Sequence, residues 1–386
     1  METTEKQEHD QTEKQENDQT EKQENGQTED TLQIKCESCG GVMRYSPTKQ
    51  NLKCVYCGCE KPLDNTPVKI KSFAFDEWCC AEETKELSEQ MQSVPKVTCK
   101  QCGAVTTLAE NVSSANCPFC GSSLILHQEQ VNRTWKPGAI LPFKIEEKQC
   151  KEFYKKWLSG KWYAPSKLRK NVASPTAFRG VYLPFWAYDA DTHTFYTGQQ
   201  GVEYSKTVER DGKRETVTET EWTHVQGTVN QNFENVLVPA ATNTVSSSMV
   251  RKLSNWDLEN SVAYREEYVS GFVTELYTKD FVESIKEAKA KMESVIDDRI
   301  KKNIGGDHQS ILSKDIDYQD VMFKLLLLPI WISSFTYNGK VYQFVVNGRT
   351  GEIKGKYPHS IWKIIFTCII AIVCIAVIYY LISGNF

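Results

Sequence analysis

A multidomain α+β fold is what the sequence predicts, and three observations predict it. Eight of the 14 cysteines fall in four Cys-x-x-Cys pairs between residues 36 and 120. Between residues 181 and 355, stretches rich in aromatic and β-branched residues flank Asp-Gly and Asn-Gly pairs, the signature of strands joined by tight turns. Residues 364–382 carry no charge at all. The expected parts are two cysteine-based ribbons, a β-rich middle domain with a few helices, and one C-terminal transmembrane helix.

Composition agrees with this division. A chain of 386 residues exceeds one ordinary domain, and 40% hydrophobic residues can fill a core. A net charge of −4 does not fit a generic nucleic-acid-binding protein. Nine Trp and 17 Tyr fit β-structure better than a helical bundle. The first 30 residues contain no apolar run, so no N-terminal signal peptide is expected.

Residues 1–32 repeat an octad, restarting at Thr4, Thr12, Thr20 and Thr28. The period is not seven and no apolar seam runs through it, which excludes a coiled coil. With nothing to bury, this tail is expected to be disordered. The first ribbon is expected at 33–60, a linker with one helix near Asp76–Gln92 at 61–96, and the second ribbon at 97–130.

The ribbons carry the most specific chemistry. Cys36-x-x-Cys39 is followed after 14 residues by Cys54-x-x-Cys57, and Cys99-x-x-Cys102 after 14 residues by Cys117-x-x-Cys120. Each cysteine of the second set lies 63 positions after its counterpart, so the unit is duplicated. Two residues between thiols let one tight turn present both sulfurs to one ion, and two such turns complete a tetrahedral S₄ shell. The glycine after each pair (Gly40, Gly58, Gly103, Gly121) permits the positive φ that closes the knuckle. Soft thiolates in a tetrahedron favour Zn²⁺, with iron as a substitute. Two structural zinc ions are therefore expected, and a closed shell leaves no open position for catalysis. Such a unit has too little core to fold alone, and metal binding, worth roughly 10–16 kcal/mol in small zinc peptides, is what folds it. The neighbouring Cys59 is discounted as a ligand. Thiolate sites without a disulfide framework fit a reducing compartment.

The middle domain, 131–358, is expected to be β-rich α+β. A helix over Glu146–Ser159 ends at Gly160, with Cys150, Phe153, Tyr154 and Trp157 as its apolar stripe. Strands are expected at 181–190 and 193–201, and a hairpin around Asp211-Gly212. A second helix, Asp280–Ile304, has Asp280 as N-cap, Glu283 three residues on and Gly305-Gly306 past its end. Its apolar positions step by three and four, as for a face packed on a sheet. Asn338-Gly339 and Asn347-Gly348 predict two further turns. Leu-Pro recurs at 141, 183 and 328, and proline, lacking an N–H, belongs at strand edges or bulges.

The stretch 364–382 would span about 28 Å as a helix, near the hydrocarbon thickness. It lies within an expected transmembrane segment, 361–382. From Lys340 to Lys363 there are five Lys/Arg against one Glu, and none follow Ile382. The positive-inside rule therefore leaves the bulk of the chain in the cytoplasm, anchored in the cell membrane by a single pass.

The Cys-x-x-Cys-Gly pairs, LPFKI at 141–145, KWLSGKWYAP at 156–165, GVYLPFWAYD at 180–189 and NGRTGEIKG at 347–355 together resemble a bacterial family, mostly of Firmicutes, of membrane-anchored double-zinc-ribbon proteins. The resemblance covers residues 33–382. Members carry labels such as transcription-factor-IIB-type zinc ribbon or primosomal-helicase-like, and some resemble partners of phage-shock-protein-A and SPFH-domain proteins, recruited to the membrane in envelope stress. The chain has no GxxxxGK[ST] loop, so helicase chemistry does not carry over; the eight ligand cysteines do.

No HExxH, GxSxG or dinucleotide fingerprint is present. Asp189, Asp191 and His193 read as a polar turn between two strands. The expected function is a non-enzymatic adaptor that binds protein partners at the membrane's cytoplasmic face. The alternative is a membrane-tethered nucleic-acid-binding ribbon protein, against which Lys100 stands as the only Lys/Arg between Cys99 and Cys120.

Overall fold

Tyr, Val, Thr, Phe and Trp recur from residue 179 to 210, and this whole stretch runs as one strand rather than two. The computed structural model describes residues 34–79, 85–106, 114–117, 119, 122–125, 130–170, 175, 177–210, 213–241 and 247–383. The octad tail, Cys80, Cys120 and the Asp211-Gly212 turn lie outside the described residues.

In chain order, β1 (Ile34–Lys35), β2 (Val42–Ser46), β3 (Asn51–Cys54) and β4 (Glu60–Pro62) form a small antiparallel sheet. Strand β5 (Phe73–Ala74) and helices α1 (Phe75–Trp78) and α2 (Lys85–Gln90) follow; two short helices stand where one is expected, and β6 (Met91–Thr98) begins inside its predicted end. β7 (Val105–Thr106) and β10 (Gln130–Trp135) flank β6, while β8 (Ser114–Asn116) pairs with β9 (Ser123–Ile125). After β11 (Ala139–Ile140) come α3 (Glu147–Ser159), α4 (Ser166–Lys170), β12 (Arg179–Arg210) and β13 (Lys213–Pro239). The remainder is α5 (Ser247–Val250), β14 (Val262–Ala263), α6 (Glu266–Val269), β15 (Val273–Thr274), α7 (Phe281–Ile304), β16 (His308–Tyr337), β17 (Lys340–Asn347), β18 (Ile353–Gly355) and α8 (Ile361–Ser383).

The main sheet is built on three long antiparallel strands in the order β13-β12-β16. Past the Gly201↔His308 and Gly201↔Trp222 pairs, β12 and β13 continue without β16 as a two-stranded arm, to Arg210↔Lys213. The other edge of β16 carries β17, β11 and β5 in turn. Asn338 and Gly339 both take positive φ between β16 and β17, as the Asn-Gly turn predicts. Pro184 and Pro329 do not lie on a strand edge: each sits inside the β12–β16 ladder, opposite Leu327 and Tyr182, where a second ladder, with β13 or β17, ends. Their carbonyls accept from Ala240 and Gly348, and the carbonyls of Ala240 and Gly348, which receive no N–H from proline, accept instead from Thr278 and Lys279 and from Lys144 and Ile145.

Asp189, Asp191 and His193 do not form a turn. They lie within β12, where a bulge falls between Tyr188 and Ala190. The Asp189 carboxylate is held by the Lys324 ammonium at 2.6 Å and the Asn235 amide at 2.6 Å, Asp191 accepts from Asn232, and His193 is exposed. Strand partners on both sides supply the hydrogen bonds that a turn would otherwise provide.

The two helices follow their caps. Asp280 accepts from the Glu283 amide, Gly305 closes α7, and Phe281, Ile285, Ala288, Met292, Ile296, Ile300 and Ile304 are buried against the sheet. In α3, Glu146 and Gln149 form a reciprocal capping box. Its Cys150 is wholly buried, and burial pushes that thiol up, as for a packing residue.

Candidate metal centres

Strand pleating sorts the sheet's residues onto two faces, and each cysteine module uses one of them. Tyr182, Leu327, Trp331, Phe344 and Val346 share a core with Cys36, Met43, Tyr45, Leu52 and Cys54. Their chain neighbours Val181, Leu183, Leu328, Ile330 and Val345 share a core with Val97, Cys99, Ala104, Cys117 and Phe119. The duplicated modules thus pack on opposite sides of one sheet.

One segment fastens both. The Ser270 hydroxyl donates to the Met43 carbonyl at 2.7 Å and the Tyr45 amide donates to the Ser270 carbonyl. Six residues on, the Leu276 amide donates to the Val105 carbonyl, and Glu275 bridges Thr106. Met43 and Thr106 are equivalent under the 63-residue repeat.

Within each module the backbone builds the same knuckle. The amides of Cys36, Cys54, Cys99 and Cys117 each donate to the carbonyl five residues on: Gly41, Cys59, Ala104 and Ser122, at 2.6–2.8 Å. Gly40, Gly58 and Gly103 have φ of 70°, 73° and 75°, which a side chain resists. Sequence reasoning foresaw the glycines but not the repeated amide bond. An Sγ atom of each of Cys36, Cys39, Cys54 and Cys57 lies within 4.8 Å of the others, with Cys36–Cys57 at 3.7 Å and Cys39–Cys54 at 3.5 Å. Four thiolates 2.3 Å from a common ion would be about 3.8 Å apart, so this set fits a tetrahedral shell.

The protonation pattern has the same meaning. Amides of Cys57 and Tyr56 hold the Cys54 thiol down at about 6. Despite a hydrogen bond from the Cys59 amide, the Cys57 thiol is pushed up to about 12 by the Cys39 and Cys54 sulfurs. Four sulfurs at this spacing share charge poorly without a cation. Cys59 stays outside the set, exposed and accepting from the Ser38 hydroxyl.

In the second module Cys99, Cys102 and Cys117 come together within the same limit, with Cys102–Cys117 at 3.6 Å. Ser122 Oγ lies 3.1 Å from Cys99 Sγ. The predicted fourth ligand, Cys120, is outside the described residues, while the Cys117 amide makes the same bond, to the Ser122 carbonyl, as its counterparts do. Among the described residues these two clusters are the groups that can hold a metal ion.

At the far end, α8 contains one segment long and apolar enough to cross a membrane, Ile361–Leu381, and none of it is buried. Cys368 and Cys374 lie exposed on it.

Comparison with known proteins adds little chemistry. An uncharacterized protein, YdjG of Bacillus subtilis (strain 168), is 25% identical over 344 residues, covering 86% of this chain and 92% of that protein. No family model matches the chain, and no solved structure matches it.

Proposed function

We propose that this chain is a membrane-anchored, non-enzymatic adaptor whose two cysteine modules are structural zinc ribbons. Cys36, Cys39, Cys54 and Cys57 hold one ion, and Cys99, Cys102, Cys117 and Cys120 the other. The sulfur spacing supports this reading, and so does the hard fit of soft thiolates to zinc. The ion supplies cross-linking of the knuckles; with four sulfurs bound it has no position left for a substrate.

The observation that carries the adaptor reading is α8. An unburied apolar helix of 21 residues, preceded by a basic stretch, favours a single pass with the body on the cytoplasmic side. The outer edge of β13 has no strand beside it among the described residues, and such an edge suits pairing with an extended partner segment. Given the resemblance above, phage-shock-protein-A-type and SPFH-domain proteins are the partners to test first.

The experiment is a crosslinking pull-down from membranes, comparing the full chain with one lacking α8, each with and without a zinc chelator. Partners should copurify with the membrane fraction only when α8 is present. A partner that stays at the membrane without α8 would sink the adaptor reading. Fewer or more than two equivalents of zinc in the purified chain would correct the metal assignment.

A further inference from the structure

The stretch KWLSGKWYAP and the helix after it belong to neither cysteine module, yet they grip the start of α8. The Ser360 amide donates to the Tyr163 carbonyl at 2.7 Å. The Lys363 ammonium donates to the carbonyls of Trp162 at 2.9 Å and Ala164 at 2.8 Å. Residues 160–170 therefore sit at the level where α8 leaves the body.

The residues found there are those that water–lipid boundaries select. Trp162 is 56% exposed, and Tyr163 and Trp362 are exposed as well. Amphipathic rings of this kind settle among lipid headgroups. From Phe153 to Tyr188 the chain has seven Lys/Arg and no Asp or Glu. Lys167 and Lys170 are exposed on α4. The Arg169 guanidinium and the Lys363 ammonium lie 5.9 Å and 5.2 Å from the centre of the same Trp162 ring. Ion pairs are made nearby by Lys151 with Glu147 and by Lys354 with Glu352, while among the described residues Lys167, Arg169, Lys170 and Lys363 have no carboxylate partner. Cations gathered without counter-charge repel one another, and an adjacent anionic surface relieves that repulsion.

We propose that Trp162, Tyr163, Lys167, Arg169, Lys170 and Lys363 form a platform that binds the headgroups of anionic lipids around the point where α8 enters the bilayer. The proposal rests on the reading that α8 spans a membrane. It adds a second attachment, electrostatic and interfacial, which fixes the tilt of the body and with it the height of the cysteine modules and β-arm.

The test is hydrogen exchange on the full chain in lipid nanodiscs, either of phosphatidylcholine alone or with a third phosphatidylglycerol. Amides of residues 160–170 are expected to exchange more slowly in the anionic discs, while residues 364–382 are protected equally in both. Replacing Lys167, Arg169 and Lys170 by Gln should erase the lipid-dependent difference and leave 364–382 protected. Lys167→Gln with Lys170→Gln, which spares the Arg169 contact to the Ser159 carbonyl, should remove part of it. Each lost cation is expected to weaken affinity for anionic vesicles by about fivefold. Equal exchange of 160–170 in both discs, with 364–382 protected, overturns the platform alone. Unprotected 364–382 overturns the anchor reading, and the platform with it.

Discussion

The two cysteine modules share a motif, a spacing and a knuckle, and differ in which side of the knuckle meets the protein. Under the 63-residue repeat, Tyr56 of the first corresponds to Phe119 of the second. Tyr56 is 78% exposed; Phe119 is 4% exposed and packs with the core beneath the sheet. The Arg179 guanidinium also donates to the Cys117 carbonyl at 2.6 Å and Gln343 to that of Phe119. The second knuckle of the second module is thus braced against the sheet through Phe119, while in the first Cys54 is buried but Tyr56 and Cys57 face solvent. A ligand pattern can be duplicated by copying a local sequence. The docking cannot, because it is made by residues 62 to 227 positions away on two different faces.

If each module holds one zinc ion, as proposed, the largest effect should come from losing it. Cys54→Ser and Cys117→Ser should each lower bound zinc from two equivalents to one, measured by mass spectrometry of the metal. Each module buries its own set of side chains. The losses in thermal stability should therefore add in the double variant within about 0.5 kcal/mol. Strong coupling would mean that the sheet between the modules transmits strain, and would merge the two into one unit.

Next comes the contrast between the equivalent aromatics. Phe119→Ala should cost about 3–5 kcal/mol, the range for a large buried ring. Tyr56→Ala should stay within about 0.5 kcal/mol. Denaturant melts of the two variants decide it, and comparable losses would erase the asymmetry between the modules.

This asymmetry was not legible in the sequence, whereas the knuckles were. Ligand spacing is a local property, so Cys36 through Cys120 announce their chemistry without reference to the fold. The caps at Asp280 and Gly305, the capping box at Glu146 and the Asn338-Gly339 turn are equally local, and so is the uncharged run in α8. Faces are different. Val181 and Tyr182 are adjacent and both apolar, and only the strands on either side of β12 decide which module each one meets. The stretch Asp189–His193 misled for the same reason: its polar side chains suit a turn until Lys324, Asn235 and Asn232 are seen to satisfy them from neighbouring strands. Segment 270–276, which fastens both modules, bears no motif; its role exists only once Met43 and Thr106 have been placed.

That segment sharpens the comparison through pH. The first module is fastened by a hydroxyl, Ser270, which does not titrate in the ordinary range. The second is fastened beside Glu275, wholly buried, whose Oε2 has no hydrogen-bond partner among the described residues. Burial raises the Glu275 carboxyl well above its usual value. A group raised in the folded state contributes its full stability below the unfolded value, about 4.3, and loses it as pH climbs toward the folded value. Stability should therefore fall on going from pH 4.5 to 7.5 by a component that Glu275→Gln removes. At pH 7.5 the variant should be the more stable of the two in urea melts, and the difference should shrink toward pH 4.5. A pH slope unchanged by the substitution would show that the carboxyl is not the source.

The smallest effect tests what the modules have in common. Gly40 and Gly103 occupy the same place in the knuckle, with φ of 70° and 75°. At Gly40 an added Cβ meets no atom within 4 Å, so Gly40→Ala costs only the left-handed backbone, about 1–2 kcal/mol. Because the knuckle is made by the same bond from the Cys amide to the carbonyl five residues on, Gly103→Ala should cost the same within error. Equal losses would locate the difference between the modules entirely in their docking. A clearly larger loss at Gly103 would mean that the brace against the sheet reaches into the knuckle itself, and that even the metal-binding turn is shaped by the face on which it sits.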